Sequence, residues 1–384
     1  MRQFFFHGSG GKKHPASFSG DEVGSSVSVF SSRCCPRSTP PGSRTTITVG
    51  WGKEFFHSPP LKKGGWGDLV GWFFFILVFS LLFIAPDSFC ATFTDEVGRT
   101  VEVPGPPQRL ISVAPSVTEV LFALGLGEKV VGVSTYCNYP PEALKKEKVG
   151  GYITPSLEKI IALRPDLVIG TADGHLKSFV NKLSGLGIPV YISNPWSVSE
   201  VITSIRHIGE VTFSRSAAQK VVDSMKKKME TVREKVQGRP RLRVLHVLAY
   251  DPLISSGKGT FVDDLIRFAG GLNIAEGATG KHPRYSMEEV IAQDPEVIIL
   301  SSMKSKDPLA DQRQWWERWK EISAVRFGRI YVIDSDLILR PSPRIVDGLE
   351  EMAKVIHPEA FKNANFKMQN EKWKIQICKL IFEH

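Results

Sequence analysis

PSLEKIIALRPDLVIG, residues 155–170, and YSMEEVIAQDPEVIIL, residues 285–300, lie over each other without a gap. From Ser156 and Ser286 onward the shared pattern is Ser, Leu/Met, Glu, Lys/Glu, Ile/Val, Ile, Ala, two variable positions, Pro, Asp/Glu, Leu/Val, Val/Ile and Ile. Agreement of that length implies two similarly built halves. Ser156 and Ser286 stand where a helix N-cap belongs, and Glu289 follows Ser286 by three positions as in a capping box. Leu157, Ile160 and Ile161, with Met287, Val290 and Ile291, then recur at helical spacing. Pro165 and Pro295 stop the helix, and LVIG and VIIL read as strands buried on both faces. Helix followed by parallel strand is the grammar of an α/β sheet.

The same alternation extends on both sides. RLISV, VVGVS, DLVIG and PVYIS read as short strands, with the helical pattern PSVTEVLFALG between the first two. In that pattern Ser116 and Glu119 are expected to form another capping box, with Gly125 ending the helix. These elements make one lobe, residues 108–197. A second begins at RVLHVLA and runs through TFVDDLIRFAGG, the repeated helix, EVIIL, IYVID and a last helix near 344–356, giving a lobe over 241–357. Between them, residues 198–240 contain no strand, and neither Gly nor Pro occurs between Gly209 and Gly238. Ser214 to Gln237 is therefore predicted as one long helix, about 36 Å at ~1.5 Å per residue. A stiff helix between lobes permits only small changes in their separation.

The 384 residues suffice for two domains, and the net charge is +9. Residues 1–91 hold nine Lys/Arg against five Asp/Glu and residues 358–384 five against three, so the middle carries only +3. No basic stripe marks it, which argues against nucleic-acid binding. Residues 1–61 are rich in Ser, Gly and Pro, a composition expected to stay disordered or to lie upstream of the true start. Residues 62–91 read as a signal peptide: Lys62 and Lys63 precede an apolar run from Trp72 to Ala85. The rival is a membrane anchor, which needs ~18–20 apolar residues. Cleavage before Ala91 is expected, with lipid attachment at Cys90 disfavoured because Phe89 is not small. Such a leader implies a start near Leu61 or Leu69 at a non-standard codon, since no Met occurs between Met1 and Met225. Cys137 and Cys378 show no zinc or disulfide spacing, and Cys137 reads as a small loop side chain.

Taken in order, RLISVAPSVTEVLFALGLGEKVVGVSTYCNYPPEA, PSLEKIIALRPDLVIG, the long helix, SSGKGTFVDDLIRFAGGLNI, YSMEEVIAQDPEVIIL and RPSPRIVDGLEEMA resemble a known family. It is that of the periplasmic substrate-binding proteins of ABC importers for cobalamin, iron-siderophore complexes and haem. The resemblance spans roughly residues 108–358. It implies an α/β fold of two Rossmann-like lobes joined by one backbone helix, with the ligand in the cleft between them. It further implies a non-catalytic, monomeric, exported receptor with no cofactor or metal of its own, delivering a corrinoid to the permease dimer of an inner-membrane importer. Siderophore or haem is the alternative cargo.

By the same resemblance Glu158 and Glu288, one per repeat, are the acids that dock on the permease. Both stand early in a helix, where a carboxylate is favoured; ordinary helix-start glutamates are the bland alternative. The resemblance also implies that Tyr136, Tyr139 and Tyr152 fall at the cleft loops, with Tyr250 a neighbour in the second lobe, as aromatic surfaces for a flat ring; a structural role for each is the bland alternative. Where cobalamin-binding relatives carry further tryptophans this chain has Thr171, His282 and Leu337. Arg340 and Arg344 follow IYVID at the strand end where ligands of open sheets bind, and His282 completes the candidate ligand set. Arg344 is alternatively a partner in a salt bridge within its lobe. His175, His246 and His282 lie at strand ends or loops, and Asp173 and Asp251 show no ligand spacing, so no metal site is expected. A two-lobed α/β enzyme such as a glycosyltransferase is the competing class. No P-loop, dinucleotide fingerprint or nucleophile elbow supports it.

Overall fold

The structure, a computed structural model, describes residues 90–172, 176–302 and 315–361. Residues 1–61, the segment expected as a signal peptide up to residue 89, Asp173, His175 and residues 362–384 lie outside the described residues. An antiparallel hairpin, β1 (Ala91–Thr94) and β2 (Thr100–Val103), precedes the first lobe. Local sequence does not announce it, because four-residue strands leave little periodicity to detect.

The first lobe runs β3 (Leu110–Ser112), α1 (Pro115–Ala123), β4 (Val130–Val133), β5 (Glu147–Lys148), α2 (Leu157–Ala162), β6 (Leu167–Thr171), α3 (Leu176–Gly185) and β7 (Val190–Ser193). Its five strands are all parallel, in the order β5-β4-β3-β6-β7. Two helices follow, α4 (Val198–Val211) and α5 (Arg215–Val236). The second lobe comprises β8 (Arg243–Val247), a small hairpin of β9 (Ala249–Tyr250) and β10 (Leu253–Ile254), α6 (Phe261–Phe268), β11 (Leu272–Asn273), α7 (Met287–Gln293), β12 (Val297–Ser302), α8 (Ser323–Arg326), β13 (Ile330–Asp334), α9 (Ser335–Ile338) and α10 (Ile345–Ile356). Its four parallel strands are ordered β11-β8-β12-β13.

The repeat holds in atomic detail. Ser156 Oγ accepts from Lys159 N–H, and Ser286 accepts from Glu289 N–H while Glu289 returns the bond to Ser286 N–H, completing the box. Both helices end on a left-handed residue before the proline, Arg164 at φ 45° and Asp294 at φ 42°. Arg109, entering β3, and Arg243, entering β8, donate to carbonyls at those ends, of Leu163 and Asp294 respectively. Their backbone N–H groups reach the acid that opens the neighbouring strand: Arg109 to Asp166 (2.9 Å) and Arg243 to Glu296 (3.0 Å). Each arginine thus ties off a helix C-terminus, where a cation is favoured.

One continuous apolar core passes from lobe to lobe. It includes Val117, Val120 and Leu121 of α1, Ile205 and Ile208 of α4, Leu265 and Ile266 of α6, and Leu349 and Met352 of α10. Along α5, Ala218, Val222, Met225, Val232 and Val236 are buried, a stripe at helical spacing that lines this core. The helix spans 22 residues, ~33 Å at ~1.5 Å each. It meets α4 so closely that a Cβ on Gly209 would sit 2.4 Å from Ala218 Cβ. Lys228 on α5 pairs with Asp347 and Glu350 of α10, fastening its second half to the second lobe. Separate clusters cover the outer sheet faces beneath α2 and α3 and beneath α7 and α8.

One expected cap is absent. Helix α1 begins at Pro115 with Ala114 at its N-cap and no side-chain cap, so Ser116 and Glu119 form no capping box. Both side chains are buried within the helix. Proline at the first helical position, its preferred place, moves the start one residue ahead of Ser116.

Candidate functional site

Loops leaving the C-terminal ends of strands in the two sheets meet each other. After β4, Asn138 Nδ2 donates to Asp336 Oδ2 (3.1 Å) in the segment after β13. After β7, the indole of Trp196 carries the ammonium of Lys281 at 3.3 Å from its ring centre. Asp264 of α6 accepts from Val198 N–H (3.0 Å) at the start of α4. These contacts join the two lobes at the strand edge where open α/β sheets bind ligands.

The strongest of them converge on Glu119, whose side chain is 1% exposed. Its Oε1 accepts from Arg344 (2.5 Å) and Arg340 (3.1 Å), and its Oε2 from Arg344 Nε (2.8 Å) and Ser342 Oγ (2.6 Å). Arg344 is thereby held bidentately across the seam, a geometry suited to guanidinium. Burial opposes the charge on Arg344, but the hydrogen bonds and negative charge of Glu119 outweigh it and raise the guanidinium pKa above its ordinary value. Arg340 completes its pairing with Asp336 (2.8 Å) and Asn138 Oδ1 (2.7 Å). Two carboxylates face two guanidiniums, so the group carries no net charge. Gly348 keeps the arginine segment seated: a Cβ there would fall 2.4 Å from the Leu337 carbonyl oxygen.

Of the four candidate tyrosines, one touches this group. Tyr139 lies beneath the Arg344 guanidinium at 3.9 Å and is 42% exposed, and Tyr136 is 63% exposed on the same loop. Tyr152 is half-buried, its hydroxyl 2.7 Å from Thr171 Oγ1 at the end of β6. Tyr250 stands edge-on to Trp315 with ring centres 5.9 Å apart, and burial pushes its hydroxyl pKa up to about 12. Trp315 in turn contacts Trp316 and Trp319. His282 is exposed beside Lys281, and partial burial with that neighbouring charge lowers its pKa. Leu337 packs against the shared core.

His246 is the penultimate residue of its strand. It lies within β8, fully buried, with Nδ1 2.9 Å from Ser256 Oγ, and burial pulls its pKa down to about 3. Asp251 is exposed, and among the described residues no group of three or more His, Cys, Asp or Glu could hold a metal ion. Cys137 is buried between Thr118 and Ser134, as a small packing side chain. Glu158 and Glu288 lie apart from the cleft group, exposed in the first turns of α2 and α7. Backbone and Ser286 hydrogen bonds hold the Glu288 carboxyl below its ordinary value.

Residues 110–337 match the family described as periplasmic binding protein. The chain belongs to that family. Its members are solute-binding proteins, so this periplasmic binding protein is not an enzyme and the glycosyltransferase alternative falls away. A vitamin B12-binding protein of Vibrio cholerae is 30% identical over 249 residues, 65% of this chain and 89% of the relative. The crystal structure of the periplasmic vitamin B12 binding protein of Vibrio cholerae covers 67% of this chain and 99% of its own, with a TM-score of 0.58. An uncharacterized ABC transporter substrate-binding lipoprotein of Bacillus subtilis is 34% identical over 282 residues, 71% of this chain and 88% of its own. A periplasmic haem-binding protein from Roseiflexus sp. RS-1 is 25% identical with a TM-score of 0.59, covering 66% of this chain and 99% of its own. The two-lobed α/β fold of the family is thereby established for this chain, and a single ligand chemistry is not.

Sequence reasoning misses Glu119 as a residue joining the lobes. The signal is present: on a helix starting at Pro115, Glu119 sits among Val117, Val120 and Leu121, on a face that must be buried. Asn138, Trp196, Lys281 and Asp336 also escape it, since nothing in their local sequence announces a partner in the other lobe.

Proposed function

We propose that this periplasmic binding protein is an exported receptor that captures a corrinoid in the interlobe cleft and hands it to an ABC importer. The observation that carries the cargo is the neutral charge group at the seam. Arg340 and Arg344 are already paired with Glu119 and Asp336, so the cleft offers them little to a ligand rimmed with carboxylates. A corrinoid presents neutral amides around a broad ring. Tyr136, Tyr139, Tyr152 and Tyr250 supply flat apolar surface for such a ring, while Asn138 and His282 supply neutral polar groups. The Vibrio cholerae relatives support the same cargo by their names. Haem is the second reading, favoured by the Roseiflexus likeness.

Delivery would use Glu158 and Glu288, which occupy equivalent places in the two lobes and meet two equivalent permease subunits. The receptor acts as a monomer, with ATP hydrolysis elsewhere in the importer. Export would rest on the leader at residues 62–91. The shared core and α5 resist hinge opening, so capture would involve slight closure. Co-elution of cyanocobalamin absorbance with the purified protein on gel filtration is expected, and its absence would defeat the cargo assignment. The double variant Glu158→Ala with Glu288→Ala should keep ligand affinity while lowering uptake in reconstituted importer roughly tenfold or more. Loss of ligand binding in that variant would place the glutamates in the cleft instead.

A further inference from the structure

We infer that Glu119 is a specificity-determining residue: by neutralising the two seam arginines from within α1, it keeps carboxylate-bearing ring ligands out of the cleft. The inference rests on the receptor reading above and adds the means of discrimination. Glu119 is buried, yet it does not complete its own lobe. Among the described residues, all four hydrogen bonds to its carboxylate come from residues 340–344 of the other lobe. A carboxylate placed there costs desolvation that a neutral residue would avoid, so its presence calls for a role beyond packing.

Arg340 is the member positioned to answer a ligand. Both arginines are about equally exposed, at 18% and 17%, but only Arg340 is divided among Glu119, Asp336 and Asn138, the last on an exposed loop. A ligand carboxylate approaching Arg340 must displace one of these acids or sit beside both, and either is unfavourable. A neutral amide meets no such repulsion and can accept from the guanidinium or pair with Asn138. Lys281 lies on the Trp196 ring and makes no contact with this group among the described residues.

Removing one negative charge should therefore release an arginine for anions. The test compares wild-type protein, Glu119→Gln and Asp336→Asn by fluorescence titration with protoporphyrin IX, which bears two propionates, and with its dimethyl ester, which bears none. Glutamine can still accept from Arg344 and Ser342, and Asp336→Asn leaves the buried Glu119 pair intact should Glu119→Gln fold poorly. The expected result is a gain of roughly tenfold in affinity for the free acid in each folded variant, with the ester unchanged. Equal affinities for the free acid across the three proteins, no binding of it by any of them, or an equal gain for the ester would overturn the inference. Cyanocobalamin is titrated alongside: a wild-type protein that ignores it overturns the corrinoid reading, while the acid–ester contrast is still decided by the porphyrins.

Discussion

The two lobes agree at one edge of their sheets and part at the other. At the N-terminal edge, Arg109 with Asp166 and Arg243 with Glu296 repeat one construction, down to the guanidinium on the helix end and the left-handed residue before proline. At the C-terminal edge, one lobe contributes Glu119, Asn138 and Tyr139 and the other contributes Asp336, Arg340, Ser342 and Arg344. The frame is the same in both halves where it only has to hold a sheet. It differs where the halves face each other, because complementary charges require unlike partners.

The largest expected effect breaks that complementarity outright. Glu119→Ala strands two mostly buried guanidiniums and should cost about 3–5 kcal/mol in urea unfolding. Asp264→Ala, which removes the reciprocal contact from α6 to Val198 N–H, should cost only ~1 kcal/mol. Equal losses would show that the two interlobe acids are interchangeable and that pairing with the arginines does not set Glu119 apart.

Acid should sharpen the contrast between two histidines. His246, buried in β8 near His282, has a folded pKa near 3, below its unfolded value. Its stabilising effect is present above about pH 6.5 and drains as pH falls toward the folded pKa, by up to ~1.4 kcal/mol per pH unit. His207 on α4 behaves oppositely. Its hydrogen bond to Glu96 raises its pKa, against partial burial; the charges of Glu96 and Glu210 reinforce the rise and Arg206 opposes it. That contribution is full below about pH 6.5 and is lost as pH rises through the raised folded value. At 43% side-chain exposure it is small after solvent screening. Unfolding curves from about pH 7.5 to 5.5 should show net acid destabilisation that His246→Asn flattens. An unchanged slope in that variant would remove His246 as the cause.

The smallest effect lies within the repeat itself. Ser286→Ala dismantles a full capping box and should cost ~1 kcal/mol, whereas Ser156→Ala loses a single cap bond and should cost nearer ~0.5 kcal/mol. A larger loss at Ser156 would mean that the first-lobe helix depends on its cap more than its hydrogen bonds indicate.

The frame is legible in the sequence because it is local. Ser, Glu, the periodic apolar residues and Pro announce a helix and a strand within sixteen positions, and the long helix is visible as 22 residues without a breaker. The short strands at 147–148, 249–250, 253–254 and 272–273 are not legible, being defined by neighbours rather than by pattern. The seam is legible in part. Arg340 and Arg344 stand out by their place after a strand, but their partner lies more than 200 residues away in a helix whose local sequence imitates a cap. Pairing across a cleft leaves no periodic trace, so Glu119 becomes intelligible only once the lobes are seen together.

The most direct test of the corrinoid receptor is a calorimetric titration of the purified protein with cyanocobalamin, run beside haem and a ferric siderophore. One-to-one binding of cyanocobalamin, tighter than either competitor, is the predicted result. Binding of haem or siderophore with silence toward cyanocobalamin would contradict it.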